Sequence, residues 1–170
     1  MDNQQWINSL VELHEKPLCR YAYSLSGSVS MAQDAVQETF LRLCKGDRSR
    51  IEGHEAAWLF QVCRSRVFDM KRKDKPVQAL TPIQESALSA SGHTPAEAAE
   101  HNDHVTLVPK LMSQLPDRQH EAIRLKFQQS MSYREIAKVM KISETNVGFL
   151  IHTGIKTLRD QMKTISGALS

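Results

Sequence analysis

A long segment near the middle of the chain places the strongest limit on how the protein can fold. Residues 76–109 contain four prolines and no lysine or arginine, and residues 86–94 are mostly small and polar. A structureless stretch of this length is uncommon inside a compact domain. The sequence therefore predicts two small domains, residues 1–75 and 105–170, joined by a flexible acidic linker at residues 76–104.

The charge follows the same division. Residues 1–75 carry 12 basic and 10 acidic side chains, residues 76–109 carry four acidic and no basic ones, and residues 110–170 carry 10 basic and five acidic ones. Two mildly basic blocks therefore flank an acidic connector. This pattern suits two contacts with nucleic acid, but charge alone is equally compatible with an ordinary solvated surface.

Both basic blocks have the hydrophobic spacing of helices. Strand signals such as alternating Val/Ile/Thr runs and Asn-Gly hairpins are nearly absent. We therefore predict an all-α protein with two small helical domains. The predicted helices span residues 4–25, 30–44, 54–73, 103–114, 116–128, 132–139 and 143–164.

The sequence also bears on where the protein works. It has no run of about 18 apolar residues, which a transmembrane helix would need, and its first ten residues are too polar for a secretory signal. Cys19, Cys44 and Cys63 form no CxxC pair and are expected to be buried or half-buried small residues. These features predict a cytoplasmic protein without membrane insertion.

The C-terminal block contains the sharpest local motif. Ser132 and Glu135 fit a capping box at the start of a short helix, and Ser143 is placed to cap the next helix. Lys141 stands in the tight turn between them, and the small Ala137 permits a close helix crossing. This pattern is typical of a helix-turn-helix, whose second helix enters the major groove of DNA. Any helical hairpin with a short turn is the alternative.

The second helix of this motif has two different faces when its residues are set about 100° apart. The face expected to point to the core contains Val147, Leu150, Ile151, Gly154 and Leu158. The opposite face contains Thr145, Phe149, His152, Lys156 and Arg159. Asn146 and Gly148 lie on the two flanks. Because Asn can pair with adenine and Thr or Phe can touch a thymine methyl, this helix suits an A/T-containing site.

The N-terminal block contains an amphipathic helix at residues 31–43. Its inward stripe is expected to be Val36, Phe40 and Leu43. Its other side combines acidic, amide and apolar groups: Asp34, Gln37, Glu38 and Leu41. Such a stripe suits docking to a basic partner, although an ordinary helix surface has the same composition.

The next helix interleaves aromatic and basic residues. Residues 64–75 alone contain six basic and two acidic side chains. Aromatic rings that stack on bases beside cations that hold phosphates are how proteins grip single-stranded nucleic acid. Trp58, Val62 and Phe68 can equally be core residues.

Together these segments resemble the extracytoplasmic-function (group 4) sigma factors of the sigma-70 family over nearly the whole chain. The resemblance rests on three sets of residues. Region 2.2 of the family is similar to residues 34–40. Regions 2.3 and 2.4 are similar to Trp58, Phe60, Arg64, Asp69, Lys71 and Arg72. Region 4 is similar to Leu115, Pro116, Arg118, Gln119, Leu125, Ser132, Tyr133, Glu135, Ile136, Ala137, Ser143, Val147, Leu158 and Arg159. It implies a factor that binds core RNA polymerase, directs promoter-specific initiation, and catalyses nothing itself. It implies no cofactor, metal or catalytic residue.

The resemblance also assigns roles to residues. The clamp helices of the polymerase would meet Asp34, Gln37, Glu38 and Leu41. The −10 element would meet Trp58, Phe60, Arg64, Ser65, Arg66, Lys71 and Arg72. The −35 element would meet Ser143, Glu144, Thr145, Asn146, Gly148, Phe149, His152 and Lys156. The polymerase flap and an anti-sigma factor are further partners that the family allows.

The chain departs from the family pattern in three places, one of which is the linker, whose sequence matches no family motif and only the expected acidic character. Ser65 stands where the family commonly has an asparagine that helps hold a flipped −10 base, so base preference there is open. Along the second helix of the helix-turn-helix, positions that are usually basic are occupied by Gly148, Leu150, Thr153 and Ile155.

Two other classes of function compete with this interpretation. A stand-alone helix-turn-helix regulator would bind operator DNA without polymerase, but it would need neither the residue 34–41 stripe nor the aromatic and basic helix. A metalloenzyme would have to use His101 and His104, with His93 nearby, and this cluster lacks a well-placed fourth ligand.

Overall fold

A computed structural model describes residues 1–74 and 103–168, with side chains from residue 107 onward in the second range. Within these ranges the protein is entirely helical, as the sequence predicts. The eight helices are α1 (Asn3–Ser26), α2 (Val29–Lys45), α3 (Arg48–Ile51), α4 (Glu55–Lys73), α5 (Asp103–Ser113), α6 (Asp117–Phe127), α7 (Tyr133–Met140) and α8 (Glu144–Ala168). The acidic linker and the side chains of His93, His101 and His104 lie outside the described residues, and the linker remains a prediction.

The described residues fall into two compact units, one that contains α1–α4 and one that contains α5, α6, α8 and α7 as far as Ala137. We call α1–α4 the N-terminal unit and α5–α8 the C-terminal unit. In the N-terminal unit, α1, α2 and α4 all pack against one another. The fully buried side chains at their junction include Leu18, Tyr21, Leu43, Phe60 and Val67. The rings of Tyr21 and Phe60 lie 5.0 Å apart between centroids, tilted by 50°. This aromatic pair joins α1 to α4 in the centre of the unit.

Local signals set the ends of these helices. Asp2 caps α1 by accepting a hydrogen bond from the Gln5 backbone N–H at 2.7 Å, and the Gln5 side chain accepts from the Asp2 N–H at 3.2 Å. Gly27 ends α1 in the left-handed conformation at φ 69°, which glycine adopts without steric cost. The four-residue α3 is the one helix that the sequence did not predict, because a single turn carries no hydrophobic period.

The three cysteines differ in exposure. Cys63 is fully buried and Cys19 is half-buried, as expected, but Cys44 is exposed, so its predicted burial is wrong. It lies near the end of α2, whose inward side is taken by Leu43 one residue earlier. Burial raises the pKa of the Cys63 thiol to about 12, which keeps that thiol protonated at neutral pH.

In the C-terminal unit, α6 and α8 pack closely at Gly154. A Cβ placed on Gly154 would lie 2.5 Å from Cδ1 of Ile123, so a side chain there would force the end of the Ile123 side chain to move. Ala122, Leu125, Val147 and Ile151 are buried on the same two helices. In the described part of the chain, no helix is both long and apolar enough to cross a membrane.

Candidate nucleic-acid interface

The helix-turn-helix that the sequence predicts is present as α7 and α8. The Ser132 hydroxyl accepts a hydrogen bond from the Glu135 backbone N–H at 3.1 Å, and the Glu135 carboxylate accepts from the Ser132 N–H at 2.8 Å. This confirms the capping box that starts α7. Lys141 ends α7 in the left-handed conformation, φ 57° and ψ 46°, at the turn where a helix-turn-helix often has glycine.

The turn after Lys141 fixes the start of α8. The Ile142 backbone N–H donates to the Ala137 carbonyl at 3.1 Å, and the Ser143 hydroxyl accepts from the Asn146 N–H at 3.1 Å. Ala137 is buried, as the close crossing requires. Four local predictions, two caps, a turn and a small buried residue, are therefore confirmed together, and the motif is a helix-turn-helix.

The two faces of α8 also match the sequence. Val147, Ile151 and Gly154 are buried, whereas Leu150 and Leu158 are half-buried. The opposite face is exposed at every predicted position: Thr145, Phe149, His152, Lys156 and Arg159. Ser143, Glu144 and Asn146 are exposed at its N-terminal end, and Gly148 is half-buried on one flank. Phe149 is 65% exposed, so a large ring projects from the surface that a DNA groove would meet.

The predicted docking stripe lies on the outer side of α2. Asp34, Gln37 and Leu41 are exposed, and Leu41 leaves 54% of its surface open. Glu38 is half-buried and forms an ion pair of 3.3 Å with Arg42 one turn later. The stripe therefore presents one free carboxylate, one amide and one apolar side chain within two helical turns.

The inner side of α2 differs in part from the prediction. Val36 and Leu43 are buried, but Phe40 is only half-buried. Ala32, Ala35 and Thr39 complete the buried side, where the Thr39 hydroxyl donates to the Ala35 carbonyl at 2.7 Å. Small residues at these positions bring α2 close to its neighbours.

The structure corrects the set of residues on α4. Phe60, which the resemblance placed at the −10 element, has no exposed surface and packs on Tyr21 in the core. The buried side of α4 consists of Ala57, Leu59, Phe60, Cys63 and Val67. Trp58, Val62 and Phe68, which the alternative interpretation placed in the core, are all half-buried. Trp58 remains available at the surface, and Phe60 is removed from the candidate interface.

Several cations of α4 are already engaged within the unit. The Lys71 ammonium donates to the Leu25 carbonyl at 2.9 Å and lies 5.9 Å from the centroid of the Phe68 ring. The Arg64 guanidinium lies over the same ring at 4.6 Å. Arg72 is exposed and forms an ion pair of 2.6 Å with Asp69. These contacts fix the cations along one side of α4. Ser65 and Arg66 of the same helix are half-buried.

One feature beside α8 was not predicted. The ammonium of Lys126, on α6, lies 5.4 Å from the ring centroid of Tyr133, at the start of α7. No local sequence pattern predicts this pair, because the two residues belong to different helices. Elsewhere, no cluster of three or more His, Cys, Asp or Glu side chains that could hold a metal occurs among the described residues.

The architecture defines a class before any relative is considered. A unit with a helix-turn-helix and an exposed recognition face is built to bind DNA. A second helical unit presents a docking stripe on α2 and a row of cations on α4, neither of which the helix-turn-helix requires. The two units together define a helix-turn-helix protein of the DNA-binding class with further exposed surfaces outside that motif.

Comparison with known proteins identifies the family. Residues 10–76 match the family model for sigma-70 region 2, and residues 106–158 match that for sigma-70, region 4. The chain is 29% identical to the ECF RNA polymerase sigma factor SigM of Bacillus subtilis over 141 residues, covering 82% of this chain and 85% of SigM. It is 25% identical to SigW of the same organism over 174 residues, covering 96% and 92%.

A solved structure has the same fold. The sigma factor RpoE in complex with the anti-sigma factor NepR from Bartonella quintana superposes with a TM-score of 0.61 at 19% identity, covering 92% of this chain and 96% of RpoE. The chain belongs to the extracytoplasmic-function sigma factors of the sigma-70 family. The region 2 match runs from residue 10, within α1, past the end of α4, and the region 4 match spans most of α5–α8.

Proposed function

We propose that this sigma factor, which directs promoter-specific transcription, divides its task between its two units. The N-terminal unit, residues 1–75, docks on the clamp helices of core RNA polymerase through α2 and opens and reads the −10 element with α4. The C-terminal unit, residues 105–170, reads the −35 element with α8 and rests on the polymerase flap. The protein acts in the cytoplasm by binding alone, with no reaction or cofactor of its own.

The observation that carries this proposal is the exposed recognition face of α8 in a chain that also exposes a docking stripe on α2. Thr145, Phe149 and His152 are exposed near the start of α8, while Val147 and Ile151 hold the helix to its own unit. This face contains no lysine or arginine before Lys156. Since phosphate contacts supply most non-specific affinity, the unit should bind DNA modestly and depend on the polymerase for tethering.

The docking stripe on α2 provides the contact with polymerase on which this tethering depends. Asp34 is exposed on α2, and its carboxylate suits a basic surface on the polymerase. Gln37 and Leu41 lie one and two turns further along the same side and add an amide and an apolar contact. Exposed positions carry little of the fold's stability, so changes there should affect docking without unfolding the unit.

The proposed docking is tested with the double variant Asp34→Arg with Gln37→Ala. It should bind core polymerase at least tenfold more weakly, because it reverses one charge and removes one amide from the stripe. Glu12→Arg, an exposed charge reversal on α1, is the matched control. Core binding measured by fluorescence anisotropy should separate the two. Equal affinity of both variants and the wild type would show that polymerase docks elsewhere.

Run-off transcription from genomic DNA tests the function as a whole. Core polymerase should start at defined promoters only when the chain is added. The free chain should bind the same promoters weakly and with a shallow salt dependence, because few phosphates are contacted. Tight and specific footprinting by the free chain would instead identify a stand-alone regulator.

An anti-sigma factor completes the proposed set of partners. The structural relative RpoE is held in complex with such a protein. In this chain the exposed Phe149 offers an apolar anchor of the kind that a protein partner buries. Occupation of Phe149 by an inhibitor would cover the recognition face of α8 and exclude DNA.

A further inference from the structure

The first three turns of the recognition helix carry no positive charge. Residues 144–155 contain no lysine or arginine, and they begin with Glu144. A helix inserted in the major groove lies between two phosphate strands, because the groove is about 12 Å wide and a helix with its side chains is about 10–12 Å across. Both flanks of such a helix therefore face phosphates, and cations are expected there.

One flank of α8 is occupied by an aromatic ring from another helix. A Cβ placed on Gly148 would lie 3.5 Å from Cε2 and 3.9 Å from Cδ2 of Tyr133. Gly148 sits between the buried Ile151 side and the exposed His152 side of α8, opposite the flank that carries Asn146. The Tyr133 ring, which is 42% exposed, therefore borders the surface that would face DNA.

That ring positions a lysine. Lys126, in the last turn of α6, holds its ammonium 5.4 Å from the Tyr133 ring centroid. A cation held over an aromatic face has fewer conformations to lose on binding than a free lysine, and it keeps its N–H donors for an external acceptor. The arrangement brings one positive charge to the Gly148 flank of α8, where the sequence of α8 supplies none.

We propose that Lys126, positioned by Tyr133, binds a backbone phosphate of the −35 element beside Gly148. This inference rests on the proposed function of α8, since it places duplex DNA on that helix. The ligand is a phosphodiester, so the contact is independent of base sequence. Lys126 thus supplies, from the neighbouring helix α6, the positive charge that the start of α8 lacks.

The experiment measures promoter binding by holoenzyme as a function of salt concentration. Lys126→Gln should lower affinity about three- to tenfold on every −35 sequence and reduce the slope of log affinity against log salt by about 1, as loss of a single phosphate contact predicts. Lys163→Gln is the matched control. It removes the same charge from an exposed position on α8, about 22 Å along the helix from Gly148.

Two further variants separate a phosphate contact from a structural role. Tyr133→Ala should reproduce the Lys126→Gln defect, and the double variant should be no worse than either alone, because the two side chains act as one unit. Gly148→Lys should restore the salt slope in the Lys126→Gln background. A Cβ at Gly148 makes an ordinary contact with the Tyr133 ring, so this change fits the fold.

The outcomes are distinct. If Lys126→Gln matches Lys163→Gln in slope and affinity, the phosphate contact is overturned while the sigma function stands. If Lys126→Gln changes base preference at the −35 element, Lys126 acts on base reading and the proposal is again wrong. If wild-type holoenzyme gains nothing from a −35 element, the proposed function of α8 fails, and this contact fails with it.

Discussion

Substitution of Phe60 tests whether this ring belongs to the core or to the −10 interface. The side chain has no exposed surface, and its ring lies 5.0 Å from that of Tyr21. Replacing a buried Phe by Ala costs about 3–5 kcal/mol. A unit of this size has a free energy of unfolding of only about 4–11 kcal/mol at the usual value per residue. Phe60→Ala should therefore remove roughly half of the free energy of unfolding of the N-terminal unit.

Phe60→Leu is the informative variant because it keeps most of the apolar volume. It loses the aromatic pair, worth about 0.5–1.5 kcal/mol, and some fit in the core, so the expected cost is about 1–2 kcal/mol. With a urea dependence of about 1.5 kcal/mol/M, the midpoint of unfolding should fall by about 1 M. At urea concentrations below that midpoint, where the unit is folded, Phe60→Leu should still support polymerase-dependent strand opening.

Tryptophan fluorescence measures this transition selectively. Both tryptophans of the chain, Trp6 and Trp58, lie in the N-terminal unit, so their emission does not report unfolding of α5–α8. Trp58→Leu is the companion variant: Trp6 remains as the reporter, and the half-buried Trp58 should affect opening more than stability. If Phe60→Leu left the urea midpoint unchanged but abolished strand opening, Phe60 would be a DNA contact and its assignment to the core would be refuted.

Three further predictions concern a cap, a titration and base reading. Ser132→Ala should destabilise the C-terminal unit by about 1 kcal/mol through loss of the α7 cap, as followed by circular dichroism on heating, whereas the exposed Ser166→Ala should not. Burial lowers the pKa of His14, so the stability it contributes is complete above its ordinary pKa of 6.5 and is lost as the pH falls below that value. His14→Gln should therefore lose less stability than the wild type between pH 7 and pH 5 in urea titrations, and an equal loss would contradict this. Asn146→Ala should cost about 1–3 kcal/mol of discrimination at a single −35 position, and more than Phe149→Ala, when promoters are selected from a library with a randomised −35 element. Unchanged base preference in Asn146→Ala would mean that this flank of α8 does not read bases.

The exposed sides of α2 and α8 were predictable because each helix signals its inner face locally. On α8 the apolar residues Val147 and Ile151 repeat at helical spacing, and every polar position predicted to face outward does so. The caps at Ser132 and Ser143 are equally local, since each hydroxyl bonds a backbone N–H three residues later. Interactions within one turn of a helix need no knowledge of the rest of the chain.

Helix α4 shows where this reasoning fails. Its apolar residues lie on more than one side, so the period alone does not reveal whether Phe60 or Trp58 points inward. Packing against α1 and α2 makes that choice, through the contact of Phe60 with Tyr21. The same limit applies to Lys71, whose hydrogen bond reaches a carbonyl 46 residues away at Leu25.

The sequence by itself determined every described helix except α3, together with the helix-turn-helix and the family, because caps, turns and hydrophobic spacing act between residues a few positions apart. Only the tertiary structure decided which aromatic ring of α4 is buried and which cation lies over the Tyr133 ring. Those outcomes depend on how whole helices face one another. That orientation is set by the combined fit of many side chains from distant segments, which no single stretch of sequence records.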